Sequence, residues 1–145
     1  MNDIDQLSGV VLHHAVQLHK EVGPGLLESV YETVLAGQLA RAGYKVDRQV
    51  PVDIQVDGLR FEKAFRIDLL VERTLLIEIK SVDKVQGMHA KQLLTYLRLT
   101  KQPLGLLINF GGETLREGFR RLVNNYNPSA PPRLCANKTF SSPGA

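Results

Sequence analysis

Three charged residues stand where apolar ones would be expected. Between Arg66 and Lys80, two continuous apolar runs, Leu69 to Val71 and Leu75 to Ile77, flank a short polar turn. Runs of this kind mark strands covered on both faces. Asp68, Glu78 and Lys80 continue those strands, and burying a carboxylate is costly unless a cation neutralises it. If the turn holds Glu72, Arg73 and Thr74, Val71 pairs with Leu75, and counting back sets Asp68 opposite Glu78. Directly opposed residues share a face, with Cβ atoms roughly 4.5–5.5 Å apart. Two anions that close repel, and a divalent metal between them removes the repulsion. Lys80 lies two residues past Glu78 and points the same way. A two-residue turn would put Asp68 opposite Ile77, on the wrong face. The chemistry therefore requires the odd-numbered turn.

The elements that must position these residues follow from periodicity. Ile4, Leu7, Val10, Val11, His14, Ala15 and Leu18 recur at helical spacing and predict a first helix over about 3–22. Gly23-Pro24-Gly25 ends it. A second helix is expected over about 26–42, with Leu27, Val30, Tyr31, Val34, Leu35 and Leu39 on its buried stripe and Gly43 as its stop. Val46 to Val56 alternates as a half-buried strand, Asp57-Gly58 is a two-residue hairpin signal, and Leu59 to Val71 returns carrying Asp68. Leu75 to Lys80 is the third strand. A third helix is expected over about 87–100 with Leu93, Leu94, Leu97 and Met88 inward, then a buried strand over 104–110, then a last helix over about 113–124. The third helix can carry the chain across the sheet, so that the last strand lies parallel to one already placed.

Asp68 followed by Glu78-Ile79-Lys80 resembles the D…(D/E)-x-K motif of the PD-(D/E)XK nuclease superfamily, with Ile67 in place of the proline of the name. Gly25-Leu26-Leu27-Glu28-Ser29-Val30-Tyr31 matches G-x-x-E-x-x-Y, the pattern that names the GxxExxY family within that superfamily. The resemblance continues through Arg66 to Val71, Gln92 to Leu97 and Gly105 to Phe110, and covers nearly all of residues 4–125. It implies an α/β fold with a restriction-endonuclease-like core, a central mixed β-sheet flanked by helices, and here an extra N-terminal helix. It implies that Asp68, Glu78 and the backbone carbonyl of Ile79 hold Mg²⁺ or Mn²⁺, with Glu28 as a third acid. It also sets Gln92 and Tyr96, four apart on one helix face, beside the active site in the manner of a Q-x-x-x-Y element. Spacing alone reads Glu28 as a first-turn acid, Tyr31 as a core aromatic, and Gln92 and Tyr96 as an exposed amide and a buried ring.

The remaining chemistry-bearing residues make no competing set. His13, His14, His19 and His89 have no ligand spacing; His14 fits the core stripe, and His89 lies one turn before Gln92. The single cysteine, Cys135, excludes an internal disulfide and a zinc cluster. No P-loop, dinucleotide fingerprint or Ser-His-Asp arrangement is present. Arg116, Arg120 and Arg121 near the end, and Lys84, Lys91, Arg98 and Lys101 around the third helix, read first as solvated charge. The net charge of +3 permits nucleic-acid binding without requiring it. At 145 residues, with an acidic polar N-terminus and no apolar run long enough to span a bilayer, the expectation is one cytoplasmic domain over 1–126 and a disordered Pro/Ser-rich tail over 127–145. The leading functional reading is a Mg²⁺- or Mn²⁺-dependent nuclease acting on DNA. The alternative is a non-catalytic nucleic-acid-binding or protein-interaction module on the same fold. A third arrangement, a homo-oligomer or complex in which a second copy or a partner completes the basic surface, stays open.

Overall fold

The computed structural model describes residues 3–125, and the expected C-terminal tail and Cys135 lie outside the described residues. Five strands form one sheet in the order β1-β2-β3-β4-β5, flanked by helices on both faces. This is the mixed α/β, restriction-endonuclease-like arrangement expected, with α1 as the added N-terminal helix. The elements are α1 (Ile4–Val22), α2 (Glu28–Arg41), β1 (Val46–Val56), β2 (Leu59–Val71), β3 (Leu75–Lys80), α3 (Gly87–Thr100), β4 (Leu104–Asn109) and β5 (Phe119–Val123).

β1 and β2 meet through Asp57 and Gly58, both at positive φ (54° and 75°), the geometry of the two-residue turn that matches strand twist. β2 pairs antiparallel with β3 in the register Val71↔Leu75, Leu70↔Leu76 and Leu69↔Ile77, so the connecting turn does hold three residues. α3 then crosses over, and β4 lies parallel to β3 from Leu75↔Leu104 to Lys80↔Asn109.

Two layers cover the sheet. Leu7, Val11, Ala15 and Leu18 of α1 and Tyr31, Leu35 and Leu39 of α2 pack on Leu69, Val71, Ile77, Ile79 and Ile108. Leu93 and Leu97 of α3 pack on Ile67, Leu76 and Leu107 on the opposite face. β3 and β4 thus have cover on both sides, which is why their sequences are continuously apolar. Met88, expected inward, is 67% exposed.

The expected last helix over 113–124 does not form. A 3₁₀ turn over Arg116–Gly118 leads into β5, which pairs antiparallel with β4 from Ile108↔Phe119 to Leu104↔Val123. Leu115, Phe119 and Leu122 recur at helical spacing, but the free edge of the buried strand β4 needs backbone partners, and that tertiary demand outweighs the local pattern. His14 is likewise only half-buried, while His19 is the buried imidazole of α1, with Nε2 3.0 Å from the carbonyl of Gly112.

Candidate active site

The β2–β3 ladder ends one pair short of the acids, at Leu69↔Ile77. Beyond that point the strands part, and the carboxylate of Asp68 fills the gap: the backbone N–H of Ile79 donates to Asp68 Oδ2 at 2.8 Å. A side chain here takes a backbone donor that a continuing strand would have used. Strand alternation puts Glu78 and Lys80 on the same face as Leu76, the face that α3 covers.

Glu78 is only 7% exposed, and its Oε1 is buried with no hydrogen-bond partner. Its carboxyl is pushed up from 4.5 to about 9, by burial first and by the negative charge of Asp68 second, while Lys80 pulls it the other way. Two neighbouring acids, one of them buried, with one oxygen unpartnered and reluctant to ionise, form a place where added positive charge is favourable. The donor set, two carboxylates with the Ile79 main chain between the strands, consists of hard oxygens that suit Mg²⁺ or Mn²⁺. The orphaned Oε1 of Glu78 is the observation that fits a cation.

Tyr96 reaches the same site from α3. Its ring stacks on Phe65 of β2 with centroids 3.9 Å apart and planes within 5°. Its phenol pKa is raised by burial first, then by the charges of Glu78 and Asp68, so the hydroxyl stays protonated beside the acids. Gln92, one turn earlier on α3, is exposed.

Glu28 opens α2 and is exposed. Ser81 Oγ donates to the carbonyl of Leu26 at 2.7 Å, which ties the chain just before Glu28 to the chain just after Lys80. Tyr31 is fully buried and stacks on Phe110 at 4.4 Å. Its hydroxyl donates to Gly23 O at 2.7 Å and accepts from Leu26 N at 3.1 Å, so it fixes the α1–α2 loop. His89 caps α3, with Nδ1 accepting from Gln86 N at 3.2 Å. Among the described residues, no group of three or more His, Cys, Asp or Glu side chains gathers as a metal cluster.

Sequence reasoning passed over three residues around this site. Glu32, one turn after Glu28, is buried and meets Arg48 and Gln49 of β1. Its position beside Tyr31 on the apolar stripe was the available signal. Gln49 carried none. Asn109 closes the floor behind Lys80: its Oδ1 accepts from Val82 N (2.9 Å) and Gly111 N (3.1 Å), and its Nδ2 donates to Val82 O (2.8 Å). A Cβ on Gly111 would lie 2.2 Å from Val82 O, so only glycine allows the two loops to close there.

A family model of the PD-(D/E)XK nuclease superfamily matches residues 5–122, which takes in every strand but the last residue of β5 and all of the acids just described. The chain belongs to the PD-(D/E)XK nuclease superfamily. Among solved structures, SSO0001 matches this superfamily member with a TM-score of 0.50 at 20% identity, over 69% of this chain and 52% of that one. The chain thus spans about half of that protein's length, and at that identity the likeness is one of fold alone. No curated protein matches the chain.

Proposed function

We propose that the protein is a Mg²⁺- or Mn²⁺-dependent nuclease that hydrolyses phosphodiester bonds in DNA. The observation that carries this is the buried, partnerless Oε1 of Glu78 next to Asp68 on a superfamily fold. In this reading Asp68, Glu78 and the carbonyl of Ile79 hold the ion, and Glu28 at the start of α2 adds a third acid. When bound, such an ion supplies charge that lowers the pKa of water and offsets the charge of a scissile phosphate.

The protein's own groups do the rest. Lys80, on the face of Glu78, stabilises negative charge as it develops on the phosphate. Tyr96 keeps its proton and is held in place by Phe65, so it acts as a hydrogen-bond donor beside the acids. Gln92, exposed one turn away, contacts the substrate backbone. Lys91 and Arg98 are exposed on the same helix and supply positive charge for it.

The test is a cleavage assay with Mg²⁺ or Mn²⁺ on single-stranded, double-stranded and branched DNA and on RNA, with Glu78→Ala as the control. Metal-dependent cleavage of DNA that Glu78→Ala lacks is expected. Equal cleavage by both proteins, or none on any substrate, removes the enzyme reading. One observation favours the alternative, a nucleic-acid-binding or protein-interaction module on this fold: among the described residues only two acids converge, not three. In that case the acids would govern stability and leave binding to nucleic acid unchanged.

A further inference from the structure

β1 changes its facing at one residue. Arg48 pairs with Glu32 of α2, while Val50, two residues on, packs in the α3-side core. In a regular strand both would face the same way. β2 slips at the same level: Leu69 belongs to the α1/α2-side core and Ile67 to the α3-side core. The register runs Arg48↔Leu69 and Val50↔Ile67, so the slip falls on Gln49 and Asp68, which face each other. Gln49 has φ 50°, in the left-handed region that a residue with a Cβ enters only at a cost.

That backbone geometry sends the Gln49 side chain between two carboxylates. Its Nε2 donates to Glu32 Oε1 at 2.7 Å and to Asp68 Oδ1 at 3.4 Å. Both neighbours are acceptors, so the amide must present its N–H₂ to them, one proton to each. Glu32 is itself fixed: its Oε2 accepts from Arg48 Nε at 3.3 Å and Nη2 at 3.2 Å. The other oxygen of Asp68 is held by Ile79 N–H. The Asp68 carboxylate is thus gripped at both ends, from β3 by a main-chain donor and from α2 through Gln49.

We propose that Gln49 is the positioning residue for Asp68, a bridge that transmits the fixed position of Glu32 to the acid at the parting of β2 and β3. The left-handed kink is retained because it aims this amide. The role rests on the nuclease reading for its catalytic meaning, but the bridge itself consists only of this chain's own groups. Partners that orient a ligand side chain in this way matter to metal affinity and rate by about 10–100-fold when removed.

Two variants separate the amide from the backbone. Gln49→Met keeps length and volume and removes the donors. Gln49→Gly also removes them but accepts φ 50° without strain, so backbone strain at this position cannot account for its effect. The first measurement is hydrogen exchange at the Ile79 amide in metal-free protein, since that N–H reports where Asp68 sits. We expect exchange about tenfold faster at Ile79 in both variants and unchanged at Leu106, in the buried strand β4. The second is Mn²⁺ affinity by calorimetry and single-turnover cleavage, both lowered about 10–100-fold. Unchanged exchange at Ile79, or equal acceleration at Ile79 and Leu106, overturns the positioning role whether or not the protein is a nuclease. Faster exchange at Ile79 alone, with a wild type that neither binds Mn²⁺ nor cleaves, upholds the bridge and sinks the nuclease reading instead.

Discussion

The two ends of the β2–β3 pair are built from the same two strands and have opposite character. At the turn end, Leu69 to Val71 and Leu75 to Ile77 form a complete ladder, five of the six side chains are buried, and no ionisable group intrudes. At the other end, one residue further along each strand, the ladder stops, a carboxylate replaces a strand carbonyl as hydrogen-bond acceptor, and a buried oxygen goes without a partner. The closed end fits what folding favours: apolar burial and paired backbone groups. The open end does not, and it persists only because the closed end, α2 and β4 hold it in place. A local penalty of this kind, concentrated at one pair of acids, is what separates a candidate site from scaffold.

The largest effect expected from this contrast is a pH-dependent gain on neutralising the open end. Glu78 has a folded pKa of about 9 against 4.5 for the free group, so its favourable state is fully present below 4.5 and is lost as pH rises towards 9. Glu78→Gln removes that loss. Its stability relative to wild type should therefore rise with pH across this window, by up to about 1.4 kcal/mol per unit, as read from denaturant melts in metal-free buffer. A constant difference would mean that the site is wet and the contrast false.

The closed end should answer in the opposite sense. Ile77 is fully buried in the ladder, and Ile77→Ala should cost ~2–5 kcal/mol at every pH, measured in the same melts. Next in size is the chemistry. Lys80→Ala should lower single-turnover cleavage by ~10²–10³-fold while leaving Mn²⁺ binding and the thermal melt nearly unchanged, and Lys80→Arg should not restore the rate, because a planar guanidinium cannot take the place of a compact ammonium. A Lys80→Ala protein that cleaves at the wild-type rate would falsify the catalytic assignment of this residue. The smallest expected effect is metal linkage. Mn²⁺ at a hundredfold excess over its Kd should stabilise wild type by ~2.7 kcal/mol and leave Asp68→Ala unmoved in a thermal shift assay. An equal rise in both proteins would locate the ion elsewhere.

Much of this is legible in the amino-acid sequence. The continuous apolar runs gave both strands and, with the need to bring two acids together, the three-residue turn that the register bears out. The Asp57-Gly58 dipeptide gave the hairpin, and the helical spacings gave α1 to α3, because periods of two and 3.6 are local properties of sequence. The spacing of Gln92 and Tyr96 put both on one face of α3, and the fold then turned Tyr96 towards the acids.

What remained depended on contacts between distant segments. Phe119 to Val123 carries a helical spacing and became a strand because the edge of β4 was open beside it; no local pattern records a vacant edge. Asp68 and Glu78 were legible as a pair, but which of them would be dry and raised in pKa was settled by α3 and the neighbouring strands, since desolvation is a sum over everything packed around a group. Glu32 and Gln49 illustrate the limit most clearly. One is a glutamate on a helix and the other a glutamine in a strand, 17 residues apart; the place of Glu32 beside Tyr31 hints at burial, and nothing near Gln49 marks it. Their role exists only where a kinked strand, a helix and an acid on the next strand meet. The sequence determined the chemical groups and every element but the last; the tertiary structure decided that last strand and which groups are forced to share one small, poorly solvated space.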